Sequence, residues 1–107
     1  DTIQDVHDLK MKSQNLAGLE AYLSELDGLM LRCTGERPSS TTLTCIFHRQ
    51  VKDLPELLRD MQDYDRMDDE DNNRTYEWLR YRCDAALDVW RADVHRRDFA
   101  RTLHGGG

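Results

Sequence analysis

An all-α fold, a single small bundle without strands, is predicted by three observations. Apolar residues recur at steps of three and four over long stretches, the spacing of one helical face. Only 2 prolines interrupt the chain, and Leu, Met, Ala, Glu and Arg, all good helix formers, dominate the periodic segments. The charged fraction of 34% against 38% hydrophobic suits helices with large wet faces better than a sheet sandwich. The pattern divides into about four helices, long-short-short-long. A chain of 107 residues is one domain with a modest core. It is read as residues 1–104, with 105–107 the start of a Gly-rich linker or tail.

The first helix is expected from about Ile3 to Arg32. Leu9, Leu16, Leu19, Leu23, Leu26, Met30 and Cys33 follow a 3-4 alternation, a seam that serves either a coiled-coil dimer or the core of a bundle. The bundle is favoured, because further helices in the same chain also need partners. Gly18 and Gly28 each cost about 1 kcal/mol relative to Ala, so a kink or break is expected around Ser13 to Gly18.

Gly35 suits a left-handed C-cap, and Ser39 or Ser40 after Pro38 suits the next N-cap. The second helix, about Ser40 to Lys52, carries Leu43, Ile46, Phe47 and Val51 on one face. Thr41, Thr42 and Thr44 weaken its propensity, so packing must hold it. Pro55 fits the first turn of a third helix with Leu54, Leu57, Leu58 and Met61 as its buried stripe, ending near Arg66. An acidic loop, Met67 to Arg74, follows.

The fourth helix, Thr75 to Leu103 with Asn73 or Thr75 as cap, has neither proline nor glycine. Tyr76, Leu79, Cys83, Ala86, Trp90 and Val94, with Leu87 beside them, form its apolar face; Arg80, Asp84, Asp88, Arg91 and Arg97 lie opposite.

Nothing in this pattern carries catalytic chemistry. Counting the acidic loop from Asp69 as a calcium loop puts Arg74 where a turn glycine is needed and Arg80 where a bidentate Glu is needed. Cys45 and His48 have the spacing of two zinc ligands on a helix, but no second pair at short spacing exists. Cys83 and His95 stand about 18 Å apart along their helix. No Gly-rich phosphate loop is present. The three cysteines are read as reduced and structural, on apolar faces, which points to an intracellular setting. No cofactor, metal or small-molecule substrate is expected, nor is the chain expected to be an enzyme.

Charge is unevenly placed. Residues 1–73 hold 8 Lys and Arg against 16 Asp and Glu, and residues 74–107 hold 7 against 5. Only the C-terminal end, through His95, Arg96, Arg97 and Arg101, could contact an anion or a nucleic acid; the alternative is cations placed at a helix C-terminus. Tyr76, Trp78, Tyr81 and Trp90 interleave with arginines, a pattern that could stack on single-stranded nucleic acid. The first and last belong to the buried stripe. Trp78 and Tyr81, with Leu29 and Leu31 flanking Met30, lie off the main stripes and are the candidate protein-interface residues.

Leu19 to Val51, a leucine-bearing helix, a Gly-containing turn and a short helix, resembles the Gag polypeptide of copia-type LTR retrotransposons. Leu57-Leu58-Arg59-Asp60, Tyr64-Asp65-Arg66, the acidic loop, Arg74 to Leu79, and Arg96-Arg97 before the terminal glycines resemble divergent Gag-like polyproteins of dinoflagellate algae. The resemblance implies a capsid-type helical domain that self-associates and helps package element RNA. In such polyproteins a Gly-rich linker commonly leads to a CCHC zinc knuckle, and no C-x₂-C occurs here.

The expected function is therefore a non-enzymatic domain that self-associates or scaffolds an assembly. Two alternatives stand beside it: a domesticated copy serving as a peripheral subunit or adaptor docked on a larger host complex, and a nucleic-acid-binding module using the basic helix end. No run of about 18 apolar residues occurs, so no membrane span is expected. The start at Asp1 without Met points to a piece of a longer protein, expected in the cytoplasm or a virus-like particle, with an organelle left open.

Overall fold

The computed structural model describes residues 2–33 and 35–105. Every regular element among the described residues is helical. In order they are α1 (Thr2–Asp8), α2 (Leu16–Arg32), α3 (Ser40–Val51), a 3-10 turn (Pro55–Leu57) running into α4 (Leu58–Asp65), and α5 (Tyr76–Gly105). Gly106 and Gly107 of the expected tail lie outside the described residues, and Gly105 closes α5.

The long first helix is two helices, separated by residues 9–15. Asn15 caps α2, its Oδ1 accepting from the Gly18 amide at 2.8 Å. The preceding loop is tied to α3 by the Met11 amide, which donates to Gln50 Oε1 at 3.1 Å. It passes so close to α2 that a Cβ on Gly18 would sit 2.0 Å from the Ser13 carbonyl oxygen. Gly18 is thus a packing contact as well as a weak helix former. The α2 helix buries Leu16, Leu19, Tyr22, Leu23, Leu26 and Leu29. Its end departs from expectation. Cys33 closes it in an extended conformation, its amide donating to Met30 O at 3.3 Å, and no described glycine has a positive φ, so Gly35 is not a left-handed cap.

Ser39 caps α3, accepting from the Thr42 amide at 3.1 Å. Leu43, Ile46, Phe47 and Val51 are buried as the spacing predicts. Buried Thr44 explains one of the helix-weakening threonines. Its hydroxyl donates to Ser40 O at 2.8 Å and accepts from the Tyr76 amide at 3.0 Å, so α3 supplies a cap to the first turn of α5. Thr75 supplies another, accepting from the Trp78 amide at 3.2 Å.

Pro55 opens the 3-10 turn. Leu54, Leu57, Met61 and Tyr64 then face the core, whereas Leu58 is 61% exposed. The expected stripe through Leu58 is corrected by phase: in a helix Leu57 and Met61 share a face that Leu58, about 100° away, does not. Arg74 orders the acidic loop from inside. Its guanidinium donates to Tyr64 O at 2.6 Å and Met67 O at 3.3 Å, while its Cζ lies 4.3 Å from the Tyr64 ring centroid. The last side chain of the loop thereby satisfies a carbonyl in the last turn of α4.

The centre of the core is Phe47, fully buried, edge-on to Tyr76 at 5.0 Å and tilted against Tyr22 at 6.1 Å. Leu79, Cys83 and Leu87 of α5 pack into the same cluster. The antiparallel α2 and α5 are also linked by ion pairs. Arg80 grips Asp27 through two hydrogen bonds, 2.8 and 2.7 Å, and Arg91 Nε donates to Glu20 at 2.7 Å. Cys33 and Cys83 are buried, but Cys45 is exposed, which corrects the placing of all three on apolar faces.

The α5 helix is longer than the body it packs on. Its 30 residues extend about 45 Å, and from His95 to His104 every residue is exposed. The radius of gyration, 16.4 Å, exceeds the value of about 13 Å for a compact domain of this length. The overhang accounts for the difference. Among the described residues no helix is long and apolar enough to cross a membrane.

Candidate protein-interaction site

The α5 helix has two apolar faces. One is the core face at Leu79, Cys83 and Leu87. The other runs through Tyr81, Ala85, Val89, Ala92, Phe99 and Leu103, all exposed, which fall within about 80° of arc at 100° per residue. Its large members are well out in solvent: Tyr81 70%, Val89 72%, Phe99 67% and Leu103 65%. Single exposed apolar residues are ordinary; here they recur on one face, with the exposed Arg96 standing in the same arc between Ala92 and Phe99. This row starts on the body and continues along the overhang.

Beside the N-terminal half of the row lies an open groove of about 750 Å³. Leu16, Glu56 and Asp60 flank it from the body, and Tyr81, Ala85 and Val89 line it from α5. Arg82 crosses between them, its Nη1 3.4 Å from Asp60 Oδ1 and its Cζ 4.7 Å from the Trp78 ring centroid. Its α5 wall mixes apolar side chains such as Ala86 and Trp90 with the charged Arg82, Asp93 and Arg96, and Glu56 on the opposite rim has no ion pair among the described residues.

The four interface candidates separate. Tyr81 lines the groove. Leu31 is 81% exposed beside Asp27, Met30 and Arg37, in a different, shallower depression. Leu29 is buried, because it continues the Tyr22–Leu26 face of α2, and it is withdrawn as an interface residue. Trp78 is half-buried rather than free, its ring 6.0 Å from Tyr64 and covered by Arg82. Val89, Phe99 and Leu103 escaped the sequence reading. Their signal was present as an eleven-residue spacing, Trp78 to Val89 and Tyr81 to Ala92 to Leu103, but the stronger core stripe masked it.

In the basic cluster, Arg97 pairs with Asp93 one turn earlier, and Arg101 Nη1 lies 3.8 Å from Asp98. His95 and Arg96 are exposed, without an ion pair among the described residues.

A second depression, about 460 Å³, brings Cys45, His48, Tyr64 and Arg74 together. The His48 ring stacks on Tyr64 at 4.9 Å, and its Nε2 is 3.9 Å from Asp65 Oδ1. Burial lowers the His48 pKa below its ordinary value against the opposing pull of Asp65. No hydrogen bond joins Cys45 to His48 among the described residues. Cys83, with its pKa pushed up to about 12 by burial, remains a thiol at neutral pH. Among the described residues no three His, Cys, Asp or Glu side chains are grouped to hold a metal.

No family model, curated protein or solved structure matches the chain.

Proposed function

We propose that this chain is a non-enzymatic interaction domain that self-associates, an assembly module in the manner of the Gag capsid region it resembles. The observation that supports the reading is the second apolar face of α5, which nothing among the described residues covers. A monomer gains nothing by keeping Tyr81, Val89, Phe99 and Leu103 in solvent, whereas a partner gains about 25 cal/mol for each Å² of apolar surface it covers. Intrahelical pairing of Arg97 and Arg101 leaves less free charge for nucleic acid than the sequence alone suggests.

The test is molar mass by light scattering over a concentration and salt series. Growth beyond the monomer that persists at high salt, and that Phe99→Asp abolishes, is the expected result. Association that collapses at high salt would favour the nucleic-acid or charge-driven readings. A strict monomer at every concentration rejects self-association. In that event the adaptor reading takes its place, with the α5 face docked on a larger host complex.

A further inference from the structure

We propose that the second face of α5 pairs with the same face of a second copy, antiparallel, about a two-fold axis passing beside Ala92. This rests on the self-association reading and specifies its geometry. In an isologous antiparallel pair centred at Ala92, each residue meets the one equally far on the other side of the centre. Ala92 then meets Ala92, Phe99 meets Ala85, and Leu103 meets Tyr81. Phe99 falls on a small residue, Leu103 packs on Tyr81 at each end of the row, and alanines occupy the crossing point and the place opposite Phe99, where close approach of two helices needs small residues.

The charges agree with the same register. Asp88, which in the single copy also lies 3.4 Å from Arg91 Nη1, meets Arg96, which has no ion pair of its own among the described residues. The overhang beyond Arg96, a residue that borders its own copy's groove, also comes to lie along the partner's groove, whose rim holds Glu56, without an ion pair among the described residues. A parallel pair would instead place Arg96 on Arg96 and Asp88 on Asp88.

The length is adequate. The row from Tyr81 to Leu103 is about 33 Å long at 1.5 Å per residue, and a helix with side chains is about 10 Å wide. With the groove rims added, the contact lies near the lower end of specific interfaces, about 600–800 Å² per partner. The pair is therefore expected to dissociate on dilution. Pairing also gives the overhang the tertiary partner it lacks in a single copy.

The experiment uses charge swaps and one cross-link in the full chain, with Cys45→Ser removing the exposed thiol. Asp88→Arg alone and Arg96→Asp alone should each weaken the dimer about tenfold. The double swap in one chain should return it to near the parent affinity, because an antiparallel pair restores both contacts. Ala92→Cys should form a disulfide dimer under mild oxidation, and Thr41→Cys, on exposed α3 surface, should not. Circular dichroism of each variant confirms that the helices are intact. If the parent chain dimerises but the double swap stays weak or Ala92→Cys fails to cross-link, the antiparallel geometry is overturned while self-association stands. A parent chain that is monomeric throughout overturns both.

Discussion

Replacing Gly18 by alanine tests the fold at the one point where two ordinary expectations conflict. In a helix interior Gly→Ala stabilises by about 1 kcal/mol through propensity and the unfolded chain. Here the new Cβ would meet the Ser13 carbonyl oxygen at 2.0 Å and its carbon at 2.8 Å. Restoring an ordinary contact at 3.4 Å moves the loop backbone by about 1.4 Å, the difference of the two distances. That shift strains the Asn15 cap and the Met11–Gln50 tie. Overpacking of this kind costs about 1–3 kcal/mol, which outweighs that gain by up to about 2 kcal/mol, so Gly18→Ala should lower the melting temperature by about 4–8 °C per kcal/mol lost. Gly28→Ala is the control. Its Cβ would meet only the flexible end of Arg32, at 3.5 Å, and stability should rise by about 0.5–1 kcal/mol. Urea denaturation followed by far-ultraviolet circular dichroism reads both. A Gly18→Ala protein as stable as the Gly28→Ala protein would refute the close packing of residues 9–15 on α2.

Tyr22→Phe should be neutral or stabilise by about 1 kcal/mol, because the Tyr22 hydroxyl is buried without a hydrogen-bond partner among the described residues; a clear loss on denaturation would show an unseen partner. The same burial pushes the Tyr22 pKa up to about 12, so its phenol should resist ionisation until the domain unfolds in alkali, as followed by absorbance. Arg74→Ala should cost about 2 kcal/mol through lost carbonyl and ring contacts, with Arg74→Lys recovering only part; a loss below about 0.5 kcal/mol would deny its capping role. Stability should fall in two acid windows, measured by denaturation at stepped pH. Burial lowers the His48 pKa, so its contribution is full above the unfolded value of about 6.5 and declines as pH drops towards the folded one. Hydrogen bonds from Arg80 lower the Asp27 pKa, so that contribution is full above about 3.9 and is lost as pH falls through the folded value. His48→Gln should flatten the first window and Asp27→Asn the second.

The parts of the fold that period and caps control were legible in the sequence. Leu43, Ile46, Phe47 and Val51 are buried as spaced, Ser39 and Thr75 cap the helices they precede, and Pro55 opens its turn. What period could not decide was which of two adjacent phases the core would take. Leu54, Leu58 and Met61 fit a helical stripe as well as Leu54, Leu57, Met61 and Tyr64 do. The choice follows from Tyr64 meeting His48, Trp78 and Arg74, all distant in sequence. Leu29 and Leu31 posed the same ambiguity around Met30, and only Leu31 turned outward. Arg74 reaching back to the end of α4 and Thr44 reaching across to α5 are single long-range hydrogen bonds, for which a sequence carries no periodic trace.

The second face of α5 has a periodic trace and no counterpart among the described residues, and that combination distinguishes it from ordinary exposed apolar residues. Leu31 and Leu58 are exposed singly, each on a helix whose other large apolar residues are buried or packed against the core. Tyr81, Val89, Phe99 and Leu103 keep helical phase over 23 residues, from the groove to beyond the last contact with the body. Past Val94 the helix continues with only local support: the pairs of Asp93 with Arg97 and Asp98 with Arg101, each worth about 0.2–0.5 kcal/mol. A solvent-facing extension needs neither a phenylalanine nor a leucine at those phases, and both lower its solubility. Their positions make sense when a second surface completes the helix. On the proposed reading the overhang and the groove are two halves of one interface, completed by a second copy.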